Sequence, residues 1–155
     1  MPYLFSYGSN NKDQLETRLK IKIGGLQPAY YPNHQLAFGS WSKNWGGAVG
    51  TLVKAKGKLV LGYVVHLENE DLDRLDKFEA VQYGKYERRR IRVKLKKNNQ
   101  IKIAICYLLT EKHHQQWIGP PNDTYTSAIK KTISYYWPSQ KISFPIIRSD
   151  TGKEV

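Results

Sequence analysis

The chain has a single cysteine, Cys106, which excludes an internal disulfide and any site that needs several thiolates. It sits in the apolar run Ile101–Leu109, where a buried and inert thiol is expected. Acids are scarce: 13 Asp and Glu stand against 25 Lys and Arg, a net charge of +12. That surplus permits binding to nucleic acid, an acidic partner or an anionic ligand, and says nothing about fold. Histidine is sparse too. His113 and His114 adjoin, but His34 and His66 lie far away and no carboxylate has ligand spacing, so no metal site is expected. No apolar run reaches membrane-spanning length, and no basic segment followed by an apolar core opens the chain. A soluble, cytoplasmic protein with no membrane contact is the expectation. Internal repeats and low-complexity linkers are also missing.

What is present is a folded, aromatic-rich chain. Its 155 residues are 40% apolar and 12% aromatic, enough for one β-rich domain over residues 1–155 with a real core. The stretch Leu4-Phe5-Ser6-Tyr7-Gly8-Ser9-Asn10 reads as a strand (Tyr3–Tyr7) broken by Gly-Ser-Asn and followed by a helix over Lys12–Lys20. A strand, glycine turn and helix in that order point backbone N–H groups at one spot, where an anion or a developing oxyanion can sit. Gly8 has no Cβ, so a ligand can approach the main chain. Taken alone, the tripeptide reads as a plain strand-to-helix turn rather than an anion site. No Gly-Lys-Ser/Thr follows it, so it is not a Walker loop.

Further along, Leu26–Tyr30 and His34–Phe38 read as two extended pieces split by Pro32-Asn33. The polar loop Ser40–Gly47 carries Trp41 and Trp45, which either wall a pocket or cover the end of a core. Ala48–Lys54 and Lys58–Leu67 read as a hairpin turning at Lys56-Gly57. Helical spacing returns over Glu68–Phe78, with Leu72, Leu75 and Phe78 on one side and Asn69 as N-cap. From Tyr86 to Lys97 the period is two. Arg88, Arg90, Arg92, Lys94 and Lys96 share one face, opposite Ile91, Val93 and Leu95. Such a face can track a phosphate backbone, or it can be a solvated outer surface that discourages edge pairing. No aromatic platform for bases accompanies it, which favours the solvated face. Asn98-Asn99 turns the chain into a returning strand, Gln100–Leu109. Pro120-Pro121-Asn122-Asp123 then caps a helix over Thr124–Trp137. Residues 138–155 lack periodicity and read as a surface tail with a loose end.

Glu79 closes the acidic helix beside Phe78 and enters the loop Ala80–Gly84. A carboxylate in that position can be partly desolvated, which favours its protonated form and makes it a stronger base when ionised. Spacing alone does not separate it from Glu68, Glu70 or Glu87.

The Leu4–Asn10 stretch resembles the N-terminal Tyr-Gly-Ser-Asn loop of the γ-glutamylcyclotransferase-like proteins. Leu72–Glu79, followed by Tyr86 and a basic strand, is similar to that family's second signature, which holds its catalytic glutamate. Trp45-Gly46-Gly47, Tyr107-Leu108-Leu109 and Pro120-Pro121 with Tyr125 extend the likeness in the same order, from Leu4 to about Trp137. The resemblance implies an α+β fold: a small mixed β-barrel or strongly curved sheet with flanking helices and a pocket at its mouth. It implies an enzyme in which the α-amine of a γ-glutamyl amide attacks its own γ-carbonyl, releasing 5-oxoproline and an amine or amino acid without a cofactor. It implies Glu79 as the catalytic acid/base, with Leu4, Phe5, Ser6, Tyr7, Gly8, Ser9 and Tyr125 around the γ-glutamyl group. Two positions depart from the pattern. Ala80 stands where a glycine usually follows the glutamate, and Asn11 where a large apolar residue is common. Cleavage of a γ-glutamyl group from another carrier or a protein side chain fits the same fold, as does a non-catalytic basic binding module.

Overall fold

The computed structural model describes residues 2–8 and 10–155. Five strands close into a barrel. They are β1 (Tyr3–Ser6), β2 (Gln27–Ser42), β3 (Gly47–His66), β4 (Tyr86–Leu95) and β5 (Ile101–Leu109). Their order around the barrel is β1-β3-β2-β4-β5, and β5 closes on β1 in parallel through Tyr3↔Ala104 and Leu4↔Ile105. Helices α1 (Lys12–Leu19), α2 (Asn69–Phe78), α3 (Glu111–His114) and α4 (Asp123–Tyr136) complete the fold. The expected mixed barrel with flanking helices is therefore a closed one. Among the described residues no helix is long and apolar enough to cross a membrane.

Strand alternation divides the core in two, because neighbouring side chains on a strand face opposite ways. One set, with Phe5, Val64, Ile91, Val93, Ala104 and Cys106, packs together as one cluster. The other set, with Leu4, Tyr63, Val65 and Tyr107, packs under Leu15, Leu19, Leu72, Leu75 and Ile129 of the helices. Cys106 is fully buried and its thiol is pushed well up by that burial, as expected for an inert position.

The structure corrects several local expectations. No hairpin forms at Lys56-Gly57. β3 runs unbroken, because β2 supplies a partner to both of its halves: Gln27–Pro32 against Leu59–Val64, and His34–Gly39 against Val49–Lys54. The two extended pieces read around Pro32-Asn33 are likewise one strand. The turn residues make a shared irregularity instead: Asn33 (φ 61°) and Gly57 (φ 81°) are left-handed, and Gly57 N–H donates to Asn33 Oδ1 at 3.0 Å. The N-cap of α2 is Glu68, not Asn69. Its N–H donates to Asp71 Oδ2 at 3.3 Å, and this sets the first helical turn one residue earlier. Phe78 is not core; it is 51% exposed.

The end of the chain is not loose either. Phe38 N–H donates to Ile147 O and Ser149 N–H to Phe38 O, both at 2.8 Å, which attaches the segment to β2. Ile147 is buried, and Ile142, Phe144 and Ile146 pack on the core. Irregular backbone hides apolar side chains well when another strand accepts its hydrogen bonds, and periodicity does not reveal that.

Candidate active site

A cavity of about 540 Å³ opens beside β1. Leu4, Phe5, Ser6, Tyr7, Gly8, Glu79 and Tyr125 all line it. Ser9, the remaining residue expected there, lies outside the described residues. Leu4 and Phe5 are 2% and 1% exposed, so they form the wall. A Cβ built on Gly8 would meet nothing within 4 Å. The space beside that residue is open, as close approach by a ligand requires.

Glu79 is the C-cap of α2, and its side chain is only 12% exposed. Asn10 Nδ2 donates to Glu79 Oε1 at 2.8 Å, and Arg18 Nη1 donates to Asn10 Oδ1 at 2.9 Å. Arg18 itself stands 4.0 Å from the carboxylate. The backbone carbonyl of Asn10 is fixed in turn by the hydroxyls of Ser6 (2.8 Å) and Tyr63. The asparagine thus ties the end of the strand-to-helix loop to the end of α2. Desolvation raises the pKa of Glu79. The Asn10 hydrogen bond and the charges of Arg18 and Lys85 oppose that rise without cancelling it, and Asp76 adds to it.

Four tyrosines form the rest of the floor around Gly50 of β3. Gly50 O accepts from Tyr86 at 2.8 Å and, at 3.4 Å, from Tyr7, while Gly50 N–H donates to Tyr125 Oη at 2.8 Å. Tyr7 also donates to Tyr107 O at 2.6 Å, and Tyr107 donates to Asp76 Oδ1 at 2.6 Å. Burial pushes all four phenols up, so they stay protonated, and each feels the charge of Glu79. A Cβ on Gly50 would lie 3.2 Å from Tyr125 Oη.

The rim is made differently. Trp45, Lys43 and Asn44 come from the turn between β2 and β3, Phe78 from α2, and Lys85 from the residue before β4. Arg18 lies 5.2 Å over the Phe78 ring. Trp45 packs against Tyr125 with ring centroids 4.9 Å apart, so this tryptophan walls the cavity. Gly47 explains the Gly-Gly after that tryptophan. A Cβ there would lie 2.6 Å from Asn122 N and 2.9 Å from Pro120 O, so the glycine lets the Pro-Pro segment close over β3 and deliver Tyr125.

Several site residues are not singled out by sequence reasoning. Asn10, Tyr86 and Tyr107 stand inside the matched motifs, so a signal for them exists. Gly50 and Lys85 carry none, because what marks them is a contact across strands. Asn11 takes the N-cap of α1, accepting Gln14 N–H at 2.8 Å, which accounts for a polar residue where an apolar one is common. Among the described residues no group of three or more His, Cys, Asp and Glu is placed to hold a metal ion.

Solved structures share this arrangement of strands and helices. A γ-glutamyl cyclotransferase superposes with a TM-score of 0.76 at 23% identity, covering 87% of this chain and 79% of its own. A protein from Homo sapiens described as uncharacterized gives 0.71 at 21%, covering 93% and 92%. A yeast γ-glutamyl cyclotransferase described as specific to glutathione gives 0.57 at 10%, covering 92% and 89%. Among curated proteins, none matches the sequence. The family model "Gamma-glutamyl cyclotransferase, AIG2-like" matches residues 4–127, a span that takes in the loop, Glu79, the tyrosine floor and Tyr125. On that match the chain belongs to the γ-glutamyl cyclotransferase, AIG2-like family.

Proposed function

We propose that the chain is a γ-glutamyl cyclotransferase that converts a γ-glutamyl amide to 5-oxoproline and a free amine or amino acid. The observation that carries this is a desolvated carboxylate, Glu79, held by Asn10 against the Tyr7-Gly8 loop inside one open cavity. Its volume falls within the ordinary range for a small-molecule site. No side chain fills it, which speaks against a binding module that has lost its substrate.

In the reaction the substrate supplies its own nucleophile. The α-amine attacks the γ-carbonyl carbon, a C–N bond closes a five-membered ring, and the original amide C–N bond breaks. Over the whole reaction the α-nitrogen gives up two protons and the leaving nitrogen takes up two. No electrons change hands, so the chemistry balances without a cofactor. Glu79 accepts from the α-ammonium and donates to the leaving nitrogen, a role worth about 10²–10⁴-fold. Holding the glutamyl chain folded contributes up to ~7–11 kcal/mol, because attack is intramolecular. Oriented donors at the γ-carbonyl oxygen add about 3–4 kcal/mol by analogy with an oxyanion hole. The Tyr7-Gly8 backbone and the Tyr125 hydroxyl are the groups assigned to hold the γ-glutamyl half. A cytoplasmic location goes with this reading.

The test is incubation with a panel of γ-glutamyl dipeptides and γ-glutamyl amines, with 5-oxoproline as the readout. At least one should be turned over, and Glu79→Gln should lower that rate by about 10²–10⁴-fold while substrate still binds. Native-rate product from Glu79→Gln would refute the assignment.

A further inference from the structure

The cyclotransferase assignment leaves the leaving half of the substrate open, and a role for the cavity rim in choosing that half depends on the assignment. Among the described residues lining the cavity there is one carboxylate, Glu79, and there are three cations, Arg18, Lys43 and Lys85. Arg18 is bonded to Asn10 beside Glu79 and belongs to the proton-transfer corner. Lys85 is different. It is half-buried, and its ammonium donates to the backbone carbonyl of Trp41 at 3.1 Å. That bond uses one of three N–H donors and ties Lys85 to the end of β2, next to the turn whose Lys43, Asn44 and Trp45 line the same cavity. No carboxylate lies within ion-pair distance of it among the described residues. A fixed, partly dried ammonium at a pocket mouth acts on charge far more than a solvated one.

With the γ-glutamyl half on the floor and its α-amine at Glu79, the leaving group extends to this rim. We propose that Lys85, assisted by Lys43, selects leaving groups that carry a carboxylate, so that γ-glutamyl amino acids and peptides are preferred to γ-glutamyl alkylamines, and both to γ-glutamyl diamines. The charges decide the order. A γ-glutamyl amino acid has two carboxylates and one ammonium. A γ-glutamyl alkylamide has one of each, and a γ-glutamyl diamine adds a second ammonium that would sit against Lys85. Trp45 and Phe78 line the same rim and offer apolar surface to whatever side chain the leaving amino acid bears.

The experiment compares kcat/KM for γ-glutamyl-alanine, γ-glutamyl-ethylamine and γ-glutamyl-putrescine in the wild type, Lys85→Met and Lys85→Glu. Because Lys85 also biases the charge on Glu79, its removal shifts all three rates together, and only the ratios report on the leaving group. The wild type should favour alanine over ethylamine and ethylamine over putrescine. Lys85→Met should lower the alanine-to-ethylamine ratio about tenfold (~1.4 kcal/mol), mainly through KM, and Lys85→Glu should move putrescine ahead of alanine. Product from all three in ratios that neither variant changes would overturn the inference alone and leave the proposed reaction standing. A wild-type preference for putrescine over alanine would overturn it too. No 5-oxoproline from any of the three would remove the proposed reaction and this inference with it.

Discussion

Among the glutamates near the second signature, only Glu79 is dry. Glu68 and Glu70 are exposed, and Glu87 is ion-paired to Arg89 at 2.8 Å. Sequence spacing does not make that separation, because the groups around Glu79, Asn10 and the tyrosine floor, come from other parts of the chain. The family motif singles out the residue; only the fold shows its environment. Desolvation raises the folded-state pKa of Glu79, and the consequence for stability has a definite sign. Between the ordinary glutamate value and the raised one, the folded chain holds a proton that the unfolded chain has lost, so this group's contribution falls as pH rises through that window. Glu79→Gln, neutral at every pH and able to accept from Asn10, should therefore melt above the wild type at pH 7, with the advantage gone near pH 4. The acid limb of kcat/KM should likewise lie above the pH of an ordinary glutamate, since the base must be ionised. A wild type that melts higher than Glu79→Gln at pH 7 would contradict both statements.

At the scale of elements, helices and strands with strong periodicity are legible in the sequence, and their ends and bends are not. Leu15, Leu19, Leu72, Leu75, Ile129 and Ile133 fall on buried helix faces as their spacing says. The β2–β3 bend misleads because a left-handed glycine after a lysine marks a hairpin and a bulge equally well, and only the length of β2 decides between them. Ala80 shows the opposite case, a departure whose meaning appears in the backbone. It follows the C-cap of α2 in the left-handed region, with φ 52° and ψ 40°, where glycine is the residue of least strain. This explains why glycine commonly follows the glutamate in the family motif, and it means this chain carries strain next to its catalytic candidate. Ala80→Gly should stabilise the fold by about 0.5–1 kcal/mol, or a rise in Tm of roughly 1–4 °C. Thermal melting checks it; an unchanged or lower midpoint would mean that the loop has already relaxed around the alanine.

Over the whole molecule the charge surplus is unevenly spread, and no single motif reveals this. Glu68, Glu70, Asp71, Asp73, Asp76 and Glu79 crowd into α2 and its ends, while Arg88, Arg89, Arg90, Arg92, Lys94, Lys96, Lys97 and Lys102 follow with no acid among them. The structure removes one member from the basic strand face. Arg88 turns to α2, bonding Asp76 through Nε and Nη2 at 2.8 Å and Asp73 at 2.9 Å, so it links barrel to helix. Arg90 and Arg92 are exposed and, among the described residues, form no ion pair. Their cross-strand neighbours are Ile105 and Ile103, and Lys94 faces Ile101. Isoleucines give bases nothing to stack on, and a closed barrel wall curves away from a duplex, so a solvated surface remains the reading of this face. Reversing Arg90, Arg92 and Lys94 to glutamate, with Arg88 kept for its structural pairs, should leave turnover of a small γ-glutamyl substrate within a few-fold. Exposed charges more than about 8 Å from the reacting groups are largely screened at physiological salt. The same triple variant and the wild type should be titrated against labelled DNA and RNA duplexes across a salt series. Tight binding by the wild type, with a steep salt dependence that the triple variant loses, would make this face a phosphate reader and the surplus charge functional.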